Sequence, residues 1–290
     1  MRSAVPVLEV GGSHLTAALV SLDAALPSVT RMRRWHVEPD CSAASFVQTL
    51  LEGAAWLDVA PGTDWGIAMP GPFDYDAGIG RFEGVGKFEA LNGFDVRAAF
   101  TAGLPAAPGR VVFLNDADAF GLGEYAAGAA RGFRRAICLT LGTGVGSAFV
   151  ADGVALSSGP GVPPDGEAHF IVWGGAELEE TVSRRAIRRG YAELTGQHLD
   201  VHEIAALARA GDGVAAALLE RTFRALGEAL SPHVRDFGAE VLVLGGSIAG
   251  SFDLIEPPLR KGLARDVVLR VAADPEHAPL IGAAAHACSG

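Results

Sequence analysis

Twice in this chain, about 130 residues apart, an apolar strand runs into a glycine turn and comes out as a second apolar strand. The first copy is Val5 to Val10, then Gly11-Gly12-Ser13, then Leu15 to Val20. The second is Ala136 to Leu141, then Gly142-Thr143-Gly144-Val145-Gly146, then Ser147 to Val150. Short apolar runs separated by a glycine turn read as β-hairpins. A spacing this long does not fit a short-period solenoid and predicts an internally duplicated α/β fold. The length of 290 residues, about twice the usual single-domain size, agrees with two domains.

Other segments fill in the pattern. Phe46, Val47, Leu50, Leu51 and Ala54 recur at helical spacing, which predicts an amphipathic helix over 43–55. A buried strand over Trp65 to Met69 stops at Pro70-Gly71-Pro72. A second short strand, Val111 to Leu114, delivers Asn115-Asp116-Ala117-Asp118 to its C-terminal end, and a helix is expected over 117–130. Beyond the Gly- and Pro-rich stretch from Ser157 to Gly166, helices are expected over 178–194, 202–209 and 214–236. Then comes a buried strand, Val241 to Leu244, ending in Gly245-Gly246-Ser247. This reading divides the chain into a smaller N-terminal domain, 1–117, and a larger C-terminal one, 118–280, with a hinge near Asp116 to Ala119. The closing stretch, about 281–290, packs back on the first domain as a helix.

Composition narrows the class. Hydrophobic residues make up 49% and charged residues 20%, enough apolar material for sizeable cores. A net charge of -11 argues against a nucleic-acid partner, since phosphodiester binding relies on clustered cations. No apolar run reaches the length of a membrane span, and no secretory signal precedes the first strand. Cys41, Cys138 and Cys288 are odd in number and widely spaced, which fits reduced thiols in a cytoplasm.

Three glycine turns follow apolar strands: Glu9-Val10-Gly11-Gly12-Ser13 with His14 beyond it, Leu141 to Gly146, and Leu244 to Ser247. Glycine lets backbone N–H groups approach a phosphate closely, and Ser13 and Thr143 can add hydroxyl donors. Each turn taken alone reads more readily as an ordinary hairpin or strand end, and it is the three in one chain that point to phosphate. Neither a P-loop nor a dinucleotide fingerprint is present. Asp116, at the end of a buried strand, can take a proton from a hydroxyl while Asn115 holds another. Asp116 and Asp118 serve equally as caps of the following helix. Glu167, His169 and Glu179 suit a ring of hydroxyls, although an isolated His or Glu in a loop is more often simply solvated. His198, His202, His233, His277 and His286 have no ligand-like spacing.

Taken in order, these segments resemble the ROK family of sugar kinases, relatives of hexokinase and actin, over nearly the whole chain. Gly66-Ile-Ala-Met-Pro-Gly-Pro72 is similar to the family's G-x-x-x-P-G-P element, and Asn115-Asp116-Ala117-Asp118 to its N-D-A-N segment. Leu139 to Gly146 and Val243 to Ser247 resemble the second phosphate motif and the adenosine-side motif. The resemblance implies a duplicated ribonuclease-H-like fold of the actin/hexokinase type, with two domains around a cleft. It also implies ATP-dependent, glucokinase-like phosphorylation of a sugar hydroxyl by a cytoplasmic homodimer.

By the same resemblance Asp116 is the general base, and Gly71, Asn115, Asp116, Glu167, His169 and Glu179 bind the sugar. Glu9, Gly11, Gly12, Ser13, His14, Gly142, Thr143, Gly144, Gly245 and Gly246 would hold ATP, with Mg²⁺ near Glu9. Gly166-Glu167-Ala168-His169 is one residue shorter than the family's G-E-x-G-H, and Leu178-Glu179 to Ser183 is similar to its L-E-x-x-x-S. Two departures stand out. Residues 170–177 hold no cysteine where the family carries a zinc loop, so no structural zinc is expected. Glu9 stands where the family has aspartate. A kinase of a cyclitol or amino sugar, and a non-catalytic sugar or nucleotide sensor, remain open alternatives. With the first phosphate motif at residues 9–13, the helix-turn-helix domain of the family's repressors is not expected.

Overall fold

A computed structural model describes residues 4–23 and 25–289. The chain forms two compact units, Met1–Gly128 with Glu276–Gly290, and Ala129–Pro275. The first contains strands β1 (Val5–Val10), β2 (His14–Ser21), β3 (Ser28–His36) and β4 (Trp65–Met69), the short pair β5 (Phe73–Asp74) and β6 (Ile79–Gly80), and β7 (Val111–Asn115). Its helices are α1 (Ala43–Leu57), α2 (Val96–Gly103), α3 (Asp116–Ala126) and, from the chain's far end, α9 (Ala278–Cys288). The second unit holds β8 (Arg135–Leu141), β9 (Val145–Ala151), β10 (Val154–Ala155), β11 (Val172–Trp173), β12 (Ala176–Glu177), β13 (Val241–Gly245) and β14 (Val268–Val271). Its helices are α4 (Glu179–Val182), α5 (Arg184–Thr195), α6 (Val201–Arg209), α7 (Gly213–Phe237) and α8 (Phe252–Gly262).

The first unit's sheet runs β3-β2-β1-β4-β7, and the second unit's runs β10-β9-β8-β13-β14. In each, the first three strands pair antiparallel and the last two join in parallel. The two sheets therefore share one topology, and the duplication suggested by the hairpins extends to all five strands.

Local sequence explains the elements. β4 and β13 are buried along their whole length, as expected of parallel strands covered on both faces. Helix α1 turns Phe46, Leu50, Ala54 and Leu57 into the first unit's core, and the Ser42 side chain caps it by accepting the Ser45 N–H. In the second unit α7 supplies the long apolar face, including Leu219, Phe223, Leu226 and Leu230. Among the described residues no helix is long and apolar enough to cross a membrane.

Three local expectations need revision. The helix expected over 178–194 is broken at Ser183, whose buried hydroxyl accepts the Ala186 N–H and starts α5 afresh. The helix expected from 117 begins at Asp116, and its cap is Asn115 rather than Asp118: the Asn115 side-chain oxygen accepts the N–H groups of Ala117 and Asp118. Residues 116–119 are thus a regular first helical turn. The compact units also divide after Gly128 rather than at 117/118, because α3 packs closely on α9 within the first unit. A Cβ on Gly123 would strike the Ala278 carbonyl, and one on Gly282 would strike that of Ala119.

Candidate active site

In the first unit, the candidate residues gather at the C-terminal ends of β1, β4 and β7. β7 ends at Asn115, and α3 begins with Asp116, whose carboxylate accepts the Ala117 N–H at 2.9 Å. Burial pushes the Asp116 carboxyl up to about 6, and the Glu9 charge adds to the rise. Lys87 and hydrogen bonding to the Ala117 N–H pull it the other way. A carboxyl poised near neutrality is suited to collecting a proton from a hydroxyl. Asn115 donates from Nδ2 to the Tyr75 hydroxyl at 2.9 Å, and that hydroxyl donates to the Met69 carbonyl at 3.3 Å. A three-member chain thus ties the end of β7 to the end of β4, next to Gly71, whose peptide bond to Pro72 is cis.

Glu9, near the end of β1, lies opposite Thr16 in the hairpin register. Its carboxyl is raised above the usual range by burial, against a hydrogen bond from Thr16 and the positive charge of Arg34. Arg34 Nε in turn donates to the Thr16 hydroxyl at 3.3 Å. His14 Nε2 stands 3.9 Å from Glu9, and burial lowers the imidazole below its ordinary value. Gly11 donates its N–H to the His14 carbonyl at 2.8 Å, closing the turn that carries Ser13. A Cβ on Gly12 would meet nothing within 4 Å, so packing does not demand glycine there and the space beside it is open to a ligand. Among the described residues no cluster of three or more His, Cys, Asp or Glu side chains could hold a metal. Glu9 nonetheless fits a Mg²⁺ brought in by a nucleotide, because that ion keeps most of its ligands as water and phosphate oxygens.

In the second unit, the β8–β9 turn carries Gly142, Thr143 and Gly144, and Gly142 N–H bonds to the Gly144 carbonyl at 3.0 Å. A Cβ on Gly142 would touch only the Ser247 hydroxyl, at 3.8 Å, so this position too is open. Gly245 ends β13, and Gly246 follows in the left-handed region at φ 81°. Glu167 and His169 lie in and beside a single 3-10 turn, Ala168–Phe170, with His169 Nε2 3.5 Å from the Glu167 carboxylate. Glu179 opens α4. A cavity of about 650 Å³ begins at Thr143 and runs along the outer face of α5, past Arg184, Arg185, Arg188 and Arg189. The cysteine-free segment 170–177 folds into the β11–β12 hairpin, with Trp173 resting on the core.

Three contributors escaped the sequence reading. Tyr75 holds Asn115, and only its nearness to Pro70-Gly71-Pro72 hinted at a role. Lys87, one of two lysines in the chain, acts on the Asp116 carboxyl from a loop carrying no motif. Ser147 is buried in β9, accepts the Ala168 N–H at 2.7 Å and donates to the Gly166 carbonyl at 2.6 Å, so it pins the stretch that carries Glu167 and His169. A lone hydroxyl inside an apolar strand was its only signal.

Comparison with known proteins agrees with this architecture. The model of the ROK family matches residues 7–289. A glucokinase of Thermotoga maritima is 30% identical over 279 residues, spanning 88% of this chain and 85% of its own. The ROK hexokinase of Thermus thermophilus superposes with a TM-score of 0.81 at 25% identity, covering 97% of this chain and 96% of that one. A ROK family glucokinase from Streptomyces griseus, solved in complex with glucose and AMPPNP, superposes with a TM-score of 0.74 at 22% identity, covering 99% of this chain and all of that one (100%). Both solved structures carry the actin/hexokinase-like fold described above for the two five-stranded sheets. With one hairpin topology used twice and a family match over nearly its full length, the chain belongs to the ROK family.

Proposed function

We propose that the protein is an ATP-dependent sugar kinase acting on a hexose, with Asp116 as general base. The observation that carries this reading is the Asp116 carboxyl itself: seated between the end of β7 and the first turn of α3, half-buried, and pushed up to about 6. Asp116 accepts the proton of the attacking hydroxyl. The hydroxyl oxygen forms its bond to the γ-phosphorus as the bond from that phosphorus to the bridging oxygen breaks, and ADP leaves. Such a transfer needs positioning and charge neutralisation more than covalent help from the protein.

Gly71, Asn115, Glu167, His169 and Glu179 bind the sugar hydroxyls. The open positions at Gly12 and Gly142, with Gly11, Ser13, His14, Thr143, Gly144, Gly245 and Gly246, bind the nucleotide, and the cavity beside Thr143 takes its nucleoside part. Mg²⁺, when bound with ATP, neutralises charge on the phosphates, and Glu9 holds it or its water. The likeness to a glucokinase and to a hexokinase supports a hexose acceptor. The same reading takes the enzyme to be a cytoplasmic homodimer.

A coupled ADP-release assay over glucose, mannose, N-acetylmannosamine and inositol tests the reading. Turnover with glucose or mannose is expected. Turnover with inositol alone would move the substrate to the cyclitols, and binding of sugar without turnover on any acceptor would make the protein a sensor. Asp116→Asn should lower kcat by roughly two or more orders of magnitude while keeping sugar affinity. A variant within a few-fold of wild type would remove Asp116 from the base role.

A further inference from the structure

Glu179 stands between two parts of the second unit. Its Oε2 accepts the Val145 N–H at 3.0 Å, and a Cβ on Gly144 would lie 2.6 Å from that same oxygen. Its Oε1 is 3.9 Å from the nearest Arg185 nitrogen, too long for a hydrogen bond. Arg185 instead pairs with Glu180. Nearby, the Arg184 N–H donates to the Gly142 carbonyl at 2.8 Å. The α4–α5 junction therefore grips the 142–146 turn at two points, an amide at one end and a carbonyl at the other. The anchor is firm on the far side as well, since Leu178, Val182 and Ser183 around Glu179 are all buried.

We infer that Glu179 is a positioning residue for the β8–β9 glycine turn, holding its amides in the arrangement that receives the phosphoryl donor. This rests on the sugar-kinase reading and deepens it: one carboxylate oxygen is committed to the turn, while the other is left for an acceptor hydroxyl. Donor and acceptor binding are then coupled through one side chain, and such coupling is reciprocal. A side chain on Gly144 would have to push the Glu179 carboxylate aside.

A contact with sugar alone and a grip on the turn make different predictions in the absence of sugar. Hydrogen exchange at the Val145 amide and the Kd of AMPPNP, both measured without sugar, separate them. Glu179→Ala should speed Val145 exchange and weaken AMPPNP roughly tenfold, the scale of losing one hydrogen bond to a charged acceptor. Glu179→Gln keeps an acceptor oxygen, so it should hold both values within about twofold of wild type. Gly144→Ala should disturb the turn when Glu179 is present and add little in the Glu179→Ala background.

If Glu179→Ala leaves both sugar-free readouts unchanged and weakens glucose only, the positioning role is overturned. Should that variant not fold, Gly144→Ala decides instead, and unchanged exchange and Kd in it would overturn the role equally. A wild-type protein that binds no AMPPNP at all would sink the kinase reading, and the donor role with it, whatever Val145 exchange reports.

Discussion

Asp116 holds a carboxyl whose charged form burial disfavours, and its neighbours tune it in opposite directions. As the proposed base it must be ionised, so kcat/KM should fall as pH drops through about 6, with one proton in the acid limb. Lys87→Met should move that limb up, and Glu9→Gln should move it down, because the lysine favours the carboxylate and Glu9 opposes it. Stability carries the matching sign. The unfolded carboxyl ionises near 3.8 and the folded one near 6, so between those values the unfolded chain has released a proton that the folded one retains. Stability falls as pH rises through that window, and the full penalty is present above it. Asp116→Asn should therefore melt a few degrees higher than wild type at pH 7–8, with the gain gone below about pH 4.

Glu9 offers a second test at this scale. Gln keeps an oxygen for Thr16, so Glu9→Gln should melt close to wild type yet turn over more slowly and respond less to Mg²⁺ in a titration. Glu9→Asp should retain or raise activity. A fully active Gln variant would remove the metal role. Asp116, Asn115 and Glu9 could be proposed from the sequence because each stands at or near the end of an apolar strand in a motif position. Lys87 and Tyr75 could not, because the loop that brings them there has no pattern of its own.

Among the elements, the hairpins and buried parallel strands were readable from apolar runs and glycine turns. The exposed edge strand β3 was not: Arg31, Arg33 and Arg34 fall on both of its faces and leave no apolar run to read. Helix α8 hid behind Pro257 and Pro258, which sit within it. The break at Ser183 was invisible because the periodicity continues across it, and only the buried hydroxyl marks the new start. Ser147 gives the sharpest test of how an element positions chemistry. Ser147→Ala leaves the Ala168 N–H without its buried acceptor and the Gly166 carbonyl without its donor. It should cost about 1–3 kcal/mol in urea unfolding and raise KM for sugar more than for ATP. Equal effects on both substrates would mean that Ser147 acts only on global stability. The β11–β12 hairpin makes its own prediction: with no thiolate in 170–177, metal analysis of purified protein should find well under one zinc per chain.

At the scale of the whole molecule, duplication was legible from two hairpins, while the division between units was not, since it depends on what α3 packs against. Gly282→Val tests that packing. The added side chain would meet the Ala119 carbonyl, so a loss of about 3 kcal/mol or more is expected. Gly250→Val, where a Cβ meets nothing within 4 Å, should cost far less. Similar melting curves for the two would show that α9 yields to α3 more readily than the close approach suggests.

The return of α9 to the first unit also sets an order of events during synthesis. The second unit is one unbroken stretch, Ala129–Pro275, and all of it precedes α9 as the ribosome reads the message. That stretch can close its own core as soon as it has emerged. The first unit cannot: β1, β4 and β7, which form the middle and one edge of its sheet, must wait for α9, made more than a hundred residues later, to cover one face. The part made first is completed last. Until α9 arrives, the nascent chain presents an uncovered apolar sheet to whatever holdases attend it.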